Sequence, residues 1–575
     1  MRGLRAGAAV AVAALVTALF ATAAGAAQAS RDERFTASDG VELQVTLSGP
    51  APLSARPTIV EFSPYGDGSG SLDPGPDFNS LLVQIRGTGD SDGRFDALGP
   101  RTQRDVQEVL RWACRQPWSD GDLGLAGFSA SAIAVYNSLH LRLPCVRAAV
   151  LKSGTFELYR DLLWPGGVSN LLPGAGVLAL IGAPAAAQGL ERLRRDPASG
   201  AGIVAGLTQA GIDGGLRHPT LDGWWRRRGF RGDVNHLPIL MIDGFYDVES
   251  RGAFQAFQAL RRDGAHLLVI GAHDGAPAGT DGGLAAERAW LEHYVRGVGN
   301  GVQSQPAVQL WLGNGDRENL LGGDFTRYDG ADWPIPGTKW VPLHLDPAKS
   351  GSHARSLYNG RLSLAEPSAR ATPRYPAVPS PPNSTDPYNV AIVGPDGPNQ
   401  IAAAYPPFTE MNMAEPQGLS FTTAPLSRAV ESAGPLALDV RLATTAPQTS
   451  IWAVVSDVWP GGAAHPVAVG RLSSDYPGVI ASKSLTSDGE VVQPYGDYTH
   501  RDPAPVGRSR LYRVELWPVG NRFAAGHRIR VDILGSSAAS KPGLPAIDTV
   551  TIGAGSGSKL MFPVLPGSDL RAALP

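Results

Sequence analysis

The sequence predicts a mostly parallel, doubly wound α/β sheet with a helical insertion, followed by an antiparallel β-sandwich. Between residues 57 and 313, short apolar runs alternate with helical stretches, as in a sheet that is covered on both faces. Residues 156 to 235 interrupt this alternation. After about residue 420, apolar and polar residues alternate with a period of two, which is typical of sandwich strands.

The composition excludes several classes of protein. Of the 575 residues, 43% are hydrophobic and 18% are charged, so the chain is neither disordered nor collagen-like. The formal net charge is −3 and no Lys/Arg run stands out, so we expect no nucleic-acid partner. The chain has 2 cysteines, which cannot build a zinc site, and we predict no metal.

The first 29 residues have the features of an export signal. Arg2 and Arg5 give a positive start, residues 6 to 24 are uncharged and rich in alanine, and Ala27-Gln28-Ala29 is a cleavage motif. A retained membrane anchor is the alternative, which the weakly apolar stretch disfavours. No later segment is apolar enough to span a bilayer. We therefore expect a secreted protein that is not stably inserted in the membrane after cleavage.

The sheet is predicted from near-continuous apolar runs. These runs are Thr58–Phe62, Leu81–Ile85, Leu123–Ala126, Ala148–Leu151, Ile239–Ile242, Leu267–Ile270 and Val308–Leu312. Thr102–Arg115 is predicted as a helix, because its apolar residues recur at helical spacing. In the insertion, residues 175–188 and 190–195 are predicted to be helical.

The C-terminal strands are predicted from strict alternation. Apolar residues alternate with polar or small ones over residues 436–442, 512–516 and 529–533. Arg530 and Asp532, for example, lie between Ile529, Val531 and Ile533. We expect each strand to have one buried face and one face in contact with water.

A candidate nucleophile lies in Gly127-Phe128-Ser129-Ala130-Ser131. This segment follows an apolar run and precedes a helical pattern, and a serine in a sharp strand-to-helix turn is typical of a nucleophile elbow. The fit is imperfect because Ser131 stands where G-x-S-x-G has its second glycine. Taken alone, the motif also fits the N-cap of a helix.

Ser129 needs a general base to act as a nucleophile, and candidate partners directly follow two of the predicted strands. Asp247 follows the run Ile239–Ile242, and His273 follows Leu267–Ile270, so the order along the chain is Ser, Asp, His. This joint occurrence is far more specific than the serine motif alone. Other acids or bases fit less well by their position relative to the strands: Asp243, His266 and His293.

The same sheet edge offers donors for an oxyanion. One is the backbone N–H of Ala130, directly after the nucleophile. The second is expected from the loop that follows Thr58–Phe62, either as a backbone N–H or as the hydroxyl of Tyr65. The glycine-rich loop Arg86–Gly93 lacks the lysine of a phosphate loop and the glutamate of a calcium loop, so we interpret it as a structural turn.

In combination these motifs resemble the cocaine esterase / glutaryl-acylase / X-Pro dipeptidyl-peptidase family of serine hydrolases. The matching segments are Ser63-Pro64-Tyr65, Arg86–Gly93, Gln116–Gly121, Gly127-Phe128-Ser129, His218-Pro219 with Asp222 and Trp225, Gly244-Phe245-Tyr246-Asp247, Gly271-Ala272-His273, Ser456-Asp457-Val458 and Gly526–Arg530. The resemblance implies an α/β-hydrolase fold with a helical cap and a jelly-roll-like C-terminal sandwich. It also implies cleavage of esters or amides through an acyl-enzyme, without a cofactor.

The resemblance implies a role for each motif residue. Ser129 becomes the nucleophile, Asp247 and His273 its triad partners, and Tyr65 with the Ala130 amide the oxyanion hole. The chain departs from the family pattern at Ala130 and Ala132, where a tyrosine and a glycine are usual, at Ala272, where an aromatic is frequent, and in the short Asp67–Leu81 connection. None of these departures removes a catalytic group.

The expected organisation follows from these assignments. Residues 1–29 form the signal peptide, 30–155 and 236–337 the two parts of the hydrolase domain, 156–235 the cap, and 338–575 the sandwich. We expect a secreted serine hydrolase acting on small-molecule esters or amides, and its oligomeric state stays open.

Two other functions are considered. An X-Pro dipeptidyl-peptidase would need an anionic pocket for a free ammonium group, for which Glu157, Asp161 and Asp222 are candidates. A non-catalytic binding protein on a hydrolase scaffold is the alternative from another class.

Cys114 and Cys145 are expected to form a disulfide. Cys114 ends the predicted helix Thr102–Arg115, and Cys145 closes the turn after the helix that starts at Ser131. Both helices run antiparallel to the strands, so both cysteines lie at the edge opposite the active site. In the resembling fold these helices pack side by side, and export supplies an oxidising environment. Two buried thiols are the alternative.

Overall fold

The structure is a computed structural model that describes most of the chain. The described residues are 27–66, 74–170, 212–272, 275–378, 415–536 and 543–575, together with residues 206, 209, 210 and 411. The predicted signal segment, apart from its last three residues, and the predicted helices at 175–188 and 190–195 lie outside the described residues.

The first half of the chain forms a central sheet. Its strands are β1 Gln28–Thr36, β2 Glu42–Pro50, β3 Arg56–Ser63, β4 Asn79–Gln84, β5 Ser119–Phe128, β6 Val146–Lys152, β7 Ile239–Tyr246, β8 His266–Ala272, β9 Val308–Gly313 and β10 Phe325–Gly330. They are paired in the order β1-β2-β4-β3-β5-β6-β7-β8-β9-β10. Pairing is parallel from β4 to β9 and antiparallel at both ends. Every strand predicted from an apolar run is confirmed.

The α-helices of the described residues are α1 Pro100–Ala113, α2 Ala130–Tyr136, α3 Gly223–Arg226, α4 Ser250–Leu260, α5 Leu284–Arg296, α6 Arg317–Leu321 and, at the C-terminus, α7 Leu570–Ala573. Several of these helices pack against the central sheet, among them α2, α4, α5 and α6. The predicted helix Thr102–Arg115 corresponds to α1, which buries its apolar face. Among the residues that the structure describes, no helix is both long and apolar enough to cross a membrane.

The described part of the insertion consists of short helical turns and loops. The turns are Tyr159–Leu163, Pro165–Gly167, Asp213–Arg217 and α3. Tyr159 packs both on α3 and on the C-terminal part. Its ring centroid lies 5.4 Å from that of Trp225 in α3 and 5.8 Å from that of Tyr498 in the C-terminal part.

The C-terminal part is rich in β-structure, as the sequence predicts. Its strands are β11 Lys339–Lys349, β12 Tyr358–Ser363, β13 Arg370–Ala371, β14 Arg374–Ala377, β15 Leu419–Thr422, β16 Val430–Thr444, β17 Ser450–Val458, β18 Ala464–Ser473, β19 Leu485–Ser487, β20 Glu490–Gln493, β21 Arg510–Phe523, β22 Arg528–Leu534, β23 Ala546–Gly553 and β24 Lys559–Val564. The longest ladder is the antiparallel pair of β16 and β21. Strand β21 also meets the central sheet, where Asn521 pairs with Gly313 of β9.

One prediction for these strands is wrong. The alternation predicts that Arg530 and Asp532 face water, yet their exposed fractions are 0% and 1%. Arg530 forms a buried ion pair with Glu415 and donates to Thr422 Oγ1 at 3.0 Å, and Asp532 accepts a hydrogen bond from Ser420 Oγ. Segments remote in sequence cover this face, so an alternating pattern marks a polar face here but not a wet one.

The predicted disulfide is present. Cys114 and Cys145 are bonded, with their Cα atoms 6.3 Å apart. Cys114 directly follows α1, and the carbonyl of Cys145 accepts a hydrogen bond from Leu123 N early in β5. Both residues therefore lie toward the amino-terminal edge of the parallel strands, opposite the edge that carries Ser129.

Candidate active site

Ser129 lies in a strained turn between β5 and α2. Its backbone has φ 53° and ψ −123°, a conformation that is rare for a residue with a side chain. Gly127 permits the turn, because a Cβ there would lie 2.6 Å from the backbone of Ser131 and Ala132. The turn is held by Ser129 N, which donates to Lys152 O at 2.9 Å. This geometry is typical of a nucleophile elbow, and the Ser129 side chain makes no capping hydrogen bond to α2.

Tyr65 and the backbone N–H of Ala130 meet beside this serine. The Ala130 amide donates to Tyr65 Oη at 3.2 Å, and the Tyr65 hydroxyl also hydrogen-bonds Ser129. Burial raises the pKa of Tyr65 to about 12, against the smaller lowering effect of these hydrogen bonds. The phenol therefore stays protonated at neutral pH, which leaves its O–H available as a donor.

The tyrosine is held by the loop that follows β3. Tyr65 N donates to Ser63 Oγ at 3.1 Å. Of the two donors that the sequence left open for this loop, the structure brings the Tyr65 hydroxyl to the serine.

Asp247 follows β7 and is completely buried. Its Oδ1 accepts a hydrogen bond from Glu249 N at 2.7 Å, and its carbonyl accepts one from Ser250 N at 3.3 Å. His273 lies outside the described residues. The strand that precedes it, β8, is parallel to β7, and Ala272 is the register partner of Tyr246. The chain segments that lead to Asp247 and to His273 therefore leave adjacent strands at the same edge.

Of the competing residues, Asp243 is a hydrogen-bonding neighbour of Asp247, whereas the two histidines lie elsewhere. Asp243 is buried inside β7, where burial and the nearby charge of Asp247 raise its pKa well above the usual range. His266 begins β8, at the opposite edge of the sheet, and packs on Trp290. His293 lies in α5, with Nδ1 2.9 Å from Val298 O.

Ser131 has a partner that the sequence analysis missed. Its Oγ donates to Glu61 Oε1 at 3.0 Å, and both side chains are buried. Glu61 interrupts the apolar run Thr58–Phe62, and this interruption is the signal that could have revealed it. The serine that replaces the second motif glycine thus ties α2 to β3.

The carboxylates considered for an ammonium pocket are already engaged. Asp161 Oδ1 lies 2.6 Å from Arg251, and Tyr495 Oη donates to Glu157 at 2.9 Å. Asp222 caps α3 and lies 2.6 Å from His218 Nδ1. Each of the three carboxylates therefore already has a hydrogen-bonding or ion-pair partner.

The loop Arg86–Gly93 has the structural character predicted for it. Arg86 is buried, forms an ion pair with Asp105 and lies 3.1 Å from Asp39. Within the described ranges, no group of three or more His, Cys, Asp or Glu side chains could hold a metal ion.

Known protein families match most of the chain. The model for X-Pro dipeptidyl-peptidase (S15 family) matches residues 39–274, and the model for the X-Pro dipeptidyl-peptidase C-terminal non-catalytic domain matches residues 300–551. The cocaine esterase of Rhodococcus sp. (strain MB1 Bresler) is 23% identical, with 87% of this chain and 89% of that protein covered.

Solved structures share the fold. A CocE/NonD-family hydrolase from Staphylococcus aureus superposes with a TM-score of 0.73 at 18% identity, covering 93% of each chain. An α-amino acid ester hydrolase gives a TM-score of 0.68 at 16% identity, covering 94% of this chain and 97% of that one. The sequence resemblance is thereby confirmed. The chain belongs to the S15 family of serine peptidases and esterases, the family of cocaine esterase and X-Pro dipeptidyl-peptidase.

Proposed function

We propose that this protein is a secreted hydrolase that cleaves carboxylic ester or small amide bonds through an acyl-enzyme on Ser129. The observation that carries the proposal is the meeting of Ser129, the Tyr65 hydroxyl and the Ala130 N–H, with the serine in a strained turn. A strained serine beside two donors suits attack on a carbonyl carbon and stabilisation of the oxyanion that results.

In the proposed mechanism, the Ser129 hydroxyl attacks the substrate carbonyl while His273 takes its proton. Asp247 holds the imidazole in the useful tautomer and stabilises the imidazolium. Tyr65 and the Ala130 amide exchange their mutual hydrogen bond for bonds to the oxyanion. His273 then protonates the leaving group. In the second half-reaction His273 takes a proton from water as the water attacks the acyl carbonyl, and it returns that proton to the Ser129 oxygen as the acid product leaves.

Esters and small amides are favoured over X-Pro peptides as substrates. Recognition of a free N-terminal ammonium needs an unneutralised carboxylate. The candidates Glu157, Asp161 and Asp222 already have cationic or hydrogen-bonding partners. The likeness to a protein named cocaine esterase supports the same choice.

The finer architecture is part of this proposal. Residues 156–235 form a helical cap over the carboxyl edge of the sheet, between hydrolase segments 30–155 and 236–337. Residues 338–575 form a jelly-roll-like sandwich. Residues 1–29 direct export and are removed, which places the mature enzyme outside the cell.

A substrate panel tests the proposal. The purified protein is assayed with p-nitrophenyl esters of graded acyl length and with an Ala-Pro anilide, and Ser129→Ala serves as the control. We expect turnover of at least one ester that exceeds turnover of the anilide and is lost in the variant. Preference for the anilide would favour the dipeptidyl-peptidase, and no turnover of any substrate would favour a binding protein.

A further inference from the structure

Strand β21 of the C-terminal domain packs against the segment that directly precedes Asp247. Gly520 of β21 lies against the ring of Phe245, and a Cβ at residue 520 would overlap that ring. Phe245 is 1% exposed and packs on Phe254, whose ring centroid lies 4.3 Å from that of Trp333. The ring therefore has no free space to move away, and glycine is required at residue 520 for this close approach.

The same strand also contacts a residue that follows Asp247 in the sequence. Glu515 Oε1 of β21 accepts a hydrogen bond from Arg251 Nε at 3.0 Å. Arg251 is 2% exposed, and its other arm lies 2.6 Å from the buried Asp161. The guanidinium is thus held by one carboxylate of the insertion and one of the C-terminal domain. Loss of either partner would leave a buried charge incompletely compensated, which is destabilising.

These two contacts bracket the carboxylate. Phe245 precedes Asp247 by two residues, and Arg251 follows it by four. A tight turn lies between them. It is closed by two backbone hydrogen bonds of 3.3 Å, from Asp247 N to Gly244 O and from Ser250 N to Asp247 O. The pairing of β7 with β8 places the start of this turn, and the contacts at Phe245 and Arg251 hold the chain on either side of Asp247.

We propose that Gly520 and Glu515 are positioning residues for Asp247, so that a domain outside the hydrolase sheet sets the position of this carboxylate. The inference rests on the proposed role of Asp247. Its physical basis is that a displacement of about 1 Å in a catalytic group can cost about 10²-fold in rate.

The first variant is Gly520→Ala, with Gly461→Ala as the matched control. Residue 461 belongs to the same domain and is exposed, and a Cβ added there would have no neighbouring atom within 4 Å. We expect Gly520→Ala to lower kcat by about 10-fold or more with little change in KM. The control should keep the activity of the unmodified protein.

The pH profile separates positioning from simple loss of stability. A nearby carboxylate raises the pKa of an imidazole, so moving Asp247 away should shift the acidic limb of kcat/KM to lower pH in Gly520→Ala. A loss of folded protein alone lowers the amplitude of the profile and leaves its midpoint in place.

Two further measurements keep the test decisive. If Gly520→Ala does not fold, Glu515→Gln is compared with Glu490→Gln, which removes a carboxylate from a partly buried pair with Lys559, remote from Asp247 in the C-terminal domain; only the first should lower kcat. In an Asp247→Asn background, Gly520→Ala should cause no further loss of kcat. Full additivity, or an unshifted pH midpoint, would overturn the inference. High activity of Asp247→Asn alone would instead refute the proposed role of that acid.

Discussion

Replacing Tyr65 by phenylalanine removes one hydroxyl from the centre of the site. In the free protein, the variant loses the 3.2 Å hydrogen bond from Ala130 N, which we expect to cost about 1 kcal/mol of stability. In the transition state it loses one of two donors to the oxyanion, which costs about 2.7–4 kcal/mol, or roughly 10²–10³ in kcat. The effect on kcat should thus far exceed the effect on folding.

The assay is steady-state turnover of an aryl ester, with thermal unfolding measured in parallel. Tyr358→Phe is the matched control, because its hydroxyl donates to Pro347 O at 2.9 Å in the C-terminal domain. Both variants lose one hydrogen bond to the backbone, yet only Tyr65→Phe should lose kcat. Equal kcat in the two variants would show that backbone amides alone stabilise the oxyanion.

Further predictions concern the surrounding residues. Ser131→Ala should keep most turnover while losing about 1–3 kcal/mol of stability, because the buried Glu61 loses a donor; loss of turnover in a folded variant would contradict this. Replacing Cys114 and Cys145 by serine should lower the free energy of unfolding by about 2–4 kcal/mol, because the bridge closes a loop with a sequence separation of 31; denaturant unfolding measures this, and an unchanged midpoint would refute it. Since burial raises the pKa of Tyr65 to about 12, its donor form persists and kcat should not fall through its ionisation below about pH 10; an alkaline limb near pH 10 that Tyr65→Phe abolishes would contradict the assignment.

The central sheet was predictable because a parallel strand that is buried on both faces appears in the sequence as an uninterrupted run of apolar residues. The run Leu123–Ala126 locates β5, and the position of Ser129 follows from it. The antiparallel strand β2 was missed, although Leu43, Val45 and Leu47 alternate with polar residues and are fully buried. This alternation is visible in the local sequence, so the strand could have been predicted.

Other features depend on contacts between distant segments. The burial of Arg530 requires Glu415, which lies 115 residues away and outside the regular strands. Likewise, nothing near Gly520 in the sequence announces that it will lie against Phe245. Local periodicity indicates which residues share a face of a strand, but the segments that cover that face are set by the fold as a whole.

The role of Ser129 as the nucleophile is the central claim, and active-site labelling tests it most directly. The folded protein is treated with a fluorophosphonate probe, and the labelled peptide is located by mass spectrometry. We predict one adduct, on Ser129, that also forms in Ser131→Ala and is absent in Ser129→Ala. An adduct on another residue, or none in folded protein that turns over esters, would contradict the account.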